Sequence, residues 1–301
     1  MMNNHLLQEM KLAGVVPAEP LEFLNSGDLQ RYQVANDKQG TKNGWLVSYC
    51  NTDAPTVHVF GSWKKGTSHT IIEGRGSKIT NDTRRLIKQA QHQAQLQKEQ
   101  EQQEVAEKCT EIWELLSSAE QHPYLTAKNI HPHIARLCSD SLVIPLMDLN
   151  MNITSLQFIS PNGSKTFRKG GKIKGSFCPL GCSTLTSAKT WIICEGFATG
   201  ATIHEATGLP VLVAFNANNL KSVATSLRMK SKTVQIIIAA DNDRFTNIGN
   251  VGVKKAEDAA RDASAFVIIP QFNTNKGTDF NDLAQQKGIK IISNIFMEVT
   301  A

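Results

Sequence analysis

The chain has 301 residues, of which 41% are hydrophobic and 20% charged, and a net charge of +5. That length allows two or three compact units at about 100–200 residues each, and the composition excludes a disordered or fibrous protein. The longest apolar runs, such as residues 234–240, are strand-length and fall well short of the ~20 residues that a membrane helix needs.

The first residues, MMNNHLLQEMKLAG, hold no basic segment leading into an apolar stretch. No export signal is read there, so a cytoplasmic location without a membrane partner is expected. A helical start over residues 4–13 leads into short alternating segments, LQRYQVA, GWLVSYC and TVHVFGSW, separated by Asn, Asp, Gly and Pro turns. Residues 1–78 therefore read as a small α+β domain. Residues 79–116 change character. The stretch NDTRRLIKQAQHQAQLQKEQEQQEVAEKCTEIWELL has no Gly or Pro and opens on Asn81 and Asp82 as caps, which predicts a long polar helix acting as a linker.

Residues 117–188 carry the strand-like SLVIPLMDL and ITSLQFI, then a basic Gly-rich stretch over 164–175. Between residues 116 and 190 stand Lys128, Arg136, Lys165, Arg168, Lys169, Lys172, Lys174 and Lys189 against Glu120, Asp140 and Asp148. The excess of cations in that stretch equals the net charge of the whole chain and points to a polyanionic partner. The histidines of HPYLTAKNIHPH (His122, His131 and His133) read as a polar turn region rather than a metal site. The six cysteines include no CxxC pair, so no zinc ribbon is expected.

Over residues 189–301 the pattern becomes regular: WIICEG, PVLVAF, TVQIIIAAD and AFVIIP are apolar strands, and helical segments lie between them. Continuous apolar strands alternating with helices predict a parallel sheet covered on both faces, with working residues at the carboxyl ends of the strands. Glu195 follows WIIC, Asp241 ends TVQIIIAAD, and Asp243 lies two residues on. Clustered carboxylates repel and are costly to desolvate, so their convergence implies a cation, and hard oxygen ligands favour Mg²⁺ or Mn²⁺ over zinc. Asp279 and Asp282 in KGTDFNDL are a further acidic pair.

Glu195-Gly196, Asp241-Asn242-Asp243 and the β/α alternation between them resemble the Toprim domain. That domain is shared by bacterial-type primases, type IA and II topoisomerases, certain nucleases and recombination proteins. EGFATGATIHEATGLPVLVAFNANNL, AADND and GTDFNDL resemble more closely the primases of plasmids and phage satellites. HPYLTAKNI, LVIPLMDLNMNITSLQFI and GSKTFRKGGKIKGSF resemble the basic half of the bacterial replicative primase core, and GWLVSYCNTDAPTVHVFGSWKKGTSHTI the module that precedes it in the plasmid family. The resemblance implies an α/β fold: a Toprim domain with a Rossmann-like parallel sheet, preceded by a basic α+β primase-core subdomain and the small N-terminal domain.

It also implies an activity, the synthesis of short RNA primers on single-stranded DNA from ribonucleoside triphosphates for replication of a mobile element. Glu195, Asp241 and Asp243 take the places of the catalytic and metal-binding acids, and Asp279 and Asp282 lie in the later acidic segment. Lys169 falls where the replicative enzyme has a lysine facing nucleotide and template, and Lys165, Arg168, Lys172 and Lys174 extend that basic edge. Gly170, Gly171 and Gly175 would let backbone approach phosphates. Phe158, Phe167 and Phe177 read as core rather than as stacking platforms.

Two positions depart from the replicative family. Thr199 stands where it has an acid, and residues 1–78 hold one cysteine, Cys50, in place of its zinc ribbon. Trp63, Lys64, Lys65 and His69 are an alternative template contact. No Walker A motif is present, so a separate helicase or initiator partner is expected. Competing readings are a Toprim nuclease using the same acids and a non-catalytic single-stranded-DNA-binding replication factor. A topoisomerase is disfavoured, because Tyr32, Tyr49 and Tyr124 sit in no recognisable cleavage domain.

Overall fold

A computed structural model describes residues 4–22, 26–50, 55–74, 80–185, 188–244, 249–273 and 276–300. The chain divides into two compact units, residues 1–101 and 102–301. This division falls inside the long helix, while the expected boundary at residue 78 lies outside the described residues.

In the first unit α1 (Asn4–Leu12) precedes an antiparallel meander of β1 (Leu29–Tyr32), β2 (Gly44–Tyr49), β3 (Thr56–Ser62) and β4 (Thr67–Glu73), paired in chain order. Because strand side chains alternate, Leu46 and Phe60 share a core with Leu6 and Met10 of α1. Trp45, Val47, Val57 and Val59 occupy another core with Ala90 and Ala94 of α2 (Asn81–Leu115). The two alanines are four residues apart and form a narrow apolar stripe on an otherwise polar helix.

In the second unit the last turns of α2 bury Cys109 and Trp113 with Val143 and Leu156. A second antiparallel meander follows: β5 (Ser117–Ser118), β6 (Arg136–Cys138), β7 (Ser141–Met147), β8 (Ile153–Ile159) and β9 (Lys165–Phe167), with α3 (Pro123–Lys128) between β5 and β6. The chain then builds β10 (Cys178–Leu180), β11 (Thr190–Cys194), α4 (Phe197–Thr207), β12 (Val211–Val213), α5 (Ala217–Lys230), β13 (Gln235–Ala239), α6 (Val251–Ala263), β14 (Phe266–Ile268), α7 (Phe280–Lys287) and α8 (Ile289–Thr300). The sheet order is β10-β12-β11-β13-β14. All neighbours in it are parallel except β10, which runs antiparallel on β12.

Helices cover both faces of this sheet. Ile192 and Cys194 of β11 lie in one core with residues of α4, α7 and α8, whereas Trp191 and Ile193 lie in the other with residues of α5 and α6. Burial on both sides explains why the strands read as unbroken apolar runs. Trp191 is fully buried, so cutting it to alanine should cost about 3–5 kcal/mol. Among the described residues no helix is long and apolar enough to cross a membrane.

Candidate active site

Strands β11 and β13 are adjacent and parallel, with Cys194 opposite Ala239. The chain leaves both at the same edge of the sheet, so Glu195 and Asp241 emerge side by side at the carboxyl ends, where open α/β sheets place their working groups. Asp279 reaches the same edge because Asn242 N–H donates to the Thr278 carbonyl at 2.7 Å. Burial raises the pKa of Asp241 well above its ordinary value, and the charges of Glu195, Asp279 and Asp243 add to that against the opposing pull of Lys165. Burial and then the charge of Asp243 push Glu195 up to about 7, partly offset by the Ala217 N–H. Asp279 is also raised, chiefly by burial.

Two oxygens of this group, Glu195 Oε1 and Asp241 Oδ1, are buried without any hydrogen-bond partner. An unpaired carboxylate oxygen shut away from water is expensive, and the usual remedy is a partner cation. The donors are all hard oxygens, which fits a divalent ion of the magnesium or manganese kind. As the side chains stand, no group of three or more His, Cys, Asp or Glu residues is drawn close enough to ligate one ion among the described residues.

The turn after β13 is fixed by two asparagines that motif reading passed over. Asn250 Oδ1 accepts from Asp243 N at 3.0 Å and from Val253 N at 3.3 Å, and Asn250 Nδ2 donates to Asn242 Oδ1 at 2.7 Å. Asn242 Nδ2 in turn donates to the Pro270 carbonyl. Asn250 is thus both the N-cap of α6 and the clamp on Asp243. An Asn directly before a helical pattern was a readable cap signal. Gly252 lets α6 come in close, since a Cβ there would stand 2.6 Å from the Asp241 carbonyl oxygen. Asp279 caps α7 by accepting from Asp282 N at 2.8 Å. Asp282 accepts from Thr278 N and lies 3.6 Å from Lys128 Nζ, so it braces the turn that carries Asp279.

Beside Asp279 lies a cleft of about 290 Å³ whose walls include Tyr124, Lys128, Lys165, Gly196 and Thr199. Lys165 is an exposed residue that lines this cleft, with its ammonium 5.6 Å over the Tyr124 ring. There burial lowers its pKa and nearby Lys128 lowers it further, with Asp279 and Asp241 opposing. The hydroxyls of Tyr124 and Thr199 are buried without hydrogen bonds of good geometry, although Thr199 lies near enough to favour the charged form of Asp279. The position that lacks an acid therefore still faces the acidic edge with an oxygen.

The remaining basic candidates, Arg168, Lys169, Lys172 and Lys174, are exposed on the segment that follows β9. Phe177 is fully buried, and Phe158 packs against the core of Val143 and Leu156. Phe167 meets Phe215 edge-on at 5.9 Å.

In the first unit the suggested template contact is largely committed to its own fold. Arg31 lies 3.9 Å over the Trp63 ring, Lys64 is paired with Asp37, and Lys65 Nζ donates to the Gly14 carbonyl at 2.7 Å. His69 stacks on Phe60. A cavity of about 760 Å³ in this unit is lined by Arg31, Tyr32 and Asp37 among others, but the charges of Arg31 and Asp37 are already met by Glu101 and Lys64. His122 caps α3 through Nδ1 and meets the Asp140 carbonyl through Nε2, while His131 and His133 flank Glu205 at 3.3 and 2.7 Å. His122 thus serves one local structure, and His131 and His133 share another around Glu205.

Residues 190–290 match the Toprim domain family. Two Escherichia coli proteins, each named DNA primase TraC, are 29% identical to the chain over 270 and 260 residues. These alignments take in 85% and 82% of this chain but only 18% and 24% of the relatives, so the chain spans about a fifth to a quarter of their length. Among solved structures, the primase fragment of the bacteriophage T7 primase-helicase protein is 20% identical, covering 59% of this chain and 73% of that one at a TM-score of 0.44. The DnaG primase catalytic domain bound to ssDNA is 9% identical, with coverages of 66% and 80% and a TM-score of 0.47. The zinc-binding and RNA polymerase domains of Aquifex aeolicus primase are 12% identical, with coverages of 92% and 80% and a TM-score of 0.47.

Proposed function

We propose that this chain, whose residues 190–290 are a Toprim domain, is a DNA primase that joins ribonucleotides into short primers on a single-stranded DNA template. The observation that carries the reading is the meeting of Glu195, Asp241 and Asp279, two of them with unpartnered buried oxygens, beside a cleft lined by Lys165. The TraC relatives favour a primase over other Toprim enzymes. In our reading residues 1–78 are a small N-terminal domain, residues 79–116 connect, residues 117–188 supply the basic half of the core and residues 189–301 the acids.

Primer synthesis joins a ribose 3′-oxygen to the α-phosphorus of a nucleoside triphosphate and releases pyrophosphate. Mg²⁺ or Mn²⁺ at this site would neutralise charge on the attacking and leaving oxygens. Glu195, Asp241, Asp243 and Asp279 are the residues we assign to hold it, with Asp282 bracing the Asp279 turn. Lys165 and Lys128 present positive charge to the triphosphate within the cleft. Arg168, Lys169, Lys172 and Lys174 hold the phosphates of template and primer. The partners assigned are single-stranded DNA, ribonucleoside triphosphates and a separate helicase or initiator, and the setting is the cytoplasm.

The test is incubation with single-stranded DNA, labelled ribonucleotides and Mg²⁺ or Mn²⁺. Short labelled products that vanish in Asp241→Asn are expected. No product with either ion, or product that survives the substitution, overturns the reading. Shortened input DNA without ribonucleotides would identify a nuclease instead.

A further inference from the structure

We infer that the outer face of α5 and the basic loop before β10 form a second contact for the nucleic acid, a cleft that grips phosphodiesters of the single strand away from the acids. This inference rests on the nucleic-acid reading above and deepens it. The cleft measures about 510 Å³ and is lined by Lys172, Lys174, Ser222, Thr225, Ser226 and Asp148, among others. Two ammonium groups and three hydroxyls thus face it beside Leu149 and Asn150, and such side chains are common contacts of backbone phosphates. The one acid is turned to its own strand connection, where Asp148 Oδ1 accepts from Asn150 N at 2.8 Å and Asn152 N at 3.0 Å.

The loop that delivers the two lysines is locked from below. Asn219 of α5 is only 4% exposed. Its Oδ1 accepts from Gly175 N at 2.7 Å, and the two protons of its Nδ2 are shared among the carbonyls of Ile173, Ser176 and Ala214 at 3.0, 2.8 and 2.9 Å. Thr154 Oγ1 donates to Ser176 Oγ at 2.8 Å, and Ser176 Oγ donates to the Lys172 carbonyl at 3.1 Å. At Gly171 a Cβ would overlap the Ser155 hydroxyl, and Gly175 takes a φ of +77°.

A solubilising loop gains nothing from a buried polar clamp, because its charges work equally well on a mobile backbone. A binding loop gains affinity, since ordering it in advance removes that cost from association. The clamp also couples the loop to α5, so the lysines and the serines keep one spacing. The loop begins after β9, whose first residue, Lys165, lines the cleft that also holds Asp279. A strand lying along the segment from Lys165 to Lys174 would thus run from the acidic edge to this cleft.

The experiment measures binding of a fluorescent 20-nucleotide single strand by anisotropy across a salt series. The Ser222→Glu, Ser226→Glu double variant changes charge by two units inside the cleft. Lys221→Glu changes it by the same amount on the same helix, at a residue paired with Asp262 and outside the cleft lining. Thermal melts establish that both are folded. We expect the double variant to weaken binding at least tenfold and Lys221→Glu no more than about threefold. Lys172→Ala with Lys174→Ala should reduce the slope of log affinity against log salt by about 1.4, two phosphate contacts at roughly 0.7 each for single strands.

Equal losses in the two charge-matched variants, or an unaffected double variant, overturn the assignment, as does a wild-type chain that binds no strand. Primer synthesis by the wild type separates this inference from the one it rests on. If primers form while the double variant binds normally, the cleft fails and the active-site reading stands. If the strand binds through the cleft and no primers form, the cleft stands and the active-site reading fails.

Discussion

The acidic edge of the parallel sheet and the basic loop beside α5 answer the same problem, a polyanionic substrate, in opposite ways. At the acidic edge the side chains are unsatisfied: Glu195, Asp241 and Asp279 stand half-buried together, burial raises the pKa of each, and Glu195 Oε1 and Asp241 Oδ1 lack partners. At the loop the side chains project into solvent, while the backbone beneath them is saturated by Asn219 and Ser176. The first region is incomplete without a cation. The second is complete before anything binds. Strain is tolerated where chemistry needs an ion held tightly, and rigidity is built where recognition needs charges held at fixed spacing.

The comparison breaks most sharply at Asp241. Asp241→Asn should lower primer synthesis by at least about 1,000-fold, a loss of roughly 4 kcal/mol in transition-state stabilisation, while raising the melting temperature of the metal-free protein by relieving repulsion. A stabilised yet inactive variant is the expected pair of results in activity assays and thermal melts. Loss of stability in the same variant would mean the acids are not in conflict.

Asn219→Ala tests the other side. Removing a buried side chain with four hydrogen-bonding contacts should cost about 3 kcal/mol and, for a unit of this size, lower the melting temperature by roughly 6–12 °C. A neutral effect would mean the loop is not clamped as argued.

The third effect is smaller and depends on pH. The folded-state pKa of Glu195 is about 7 against an ordinary 4.5, so the folded protein holds the proton more tightly than the unfolded chain. The protonated group's contribution to stability is complete below about 4.5 and is lost as pH rises through about 7. His58 and His133 are shifted down and act in the reverse sense, so the informative quantity is a difference between proteins. Without divalent ions, Glu195→Gln should melt a few degrees above wild type at pH 8 and level with it near pH 4. Mg²⁺ should close the gap at pH 8 by stabilising the wild type.

The smallest effect sharpens the loop. Lys169→Ala alone should weaken single-strand binding only a few-fold and reduce the salt slope by about 0.7, with no change in melting temperature. A stability loss instead would place Lys169 among the structural contacts.

Much of this arrangement is legible in the residues themselves. WIIC, VLV and QIIIA are unbroken apolar strands because both faces of their sheet are covered. Each is followed by a Gly-, Asn- or Asp-containing turn, which places Glu195 and Asp241 at strand ends. The edge strand β10 was not legible, because Pro179 at its centre reads as a strand breaker and is tolerated only where one side of the strand is left unpaired. The packed pair α7 and α8 was not legible either, because Asp279 in GTDFNDL is at once an acid of the sheet edge and the N-cap of α7, and its residue type does not separate the two roles. Lys128 and Tyr124 stand more than 150 and 110 residues away from Asp279 and Asp241 in the chain, and nothing local marks them as neighbours of the acids.

The amino-acid sequence by itself determined the periodicity of the strands and helices, the order of the acidic residues and the concentration of cations between residues 116 and 190, because these follow from side-chain type and local spacing. Only the tertiary structure decided which acids lose their water, which lysine lines the cleft beside them and which buried asparagine holds the basic loop. Desolvation and hydrogen-bond geometry depend on groups brought together from distant parts of the chain, and no local pattern encodes the distance between them.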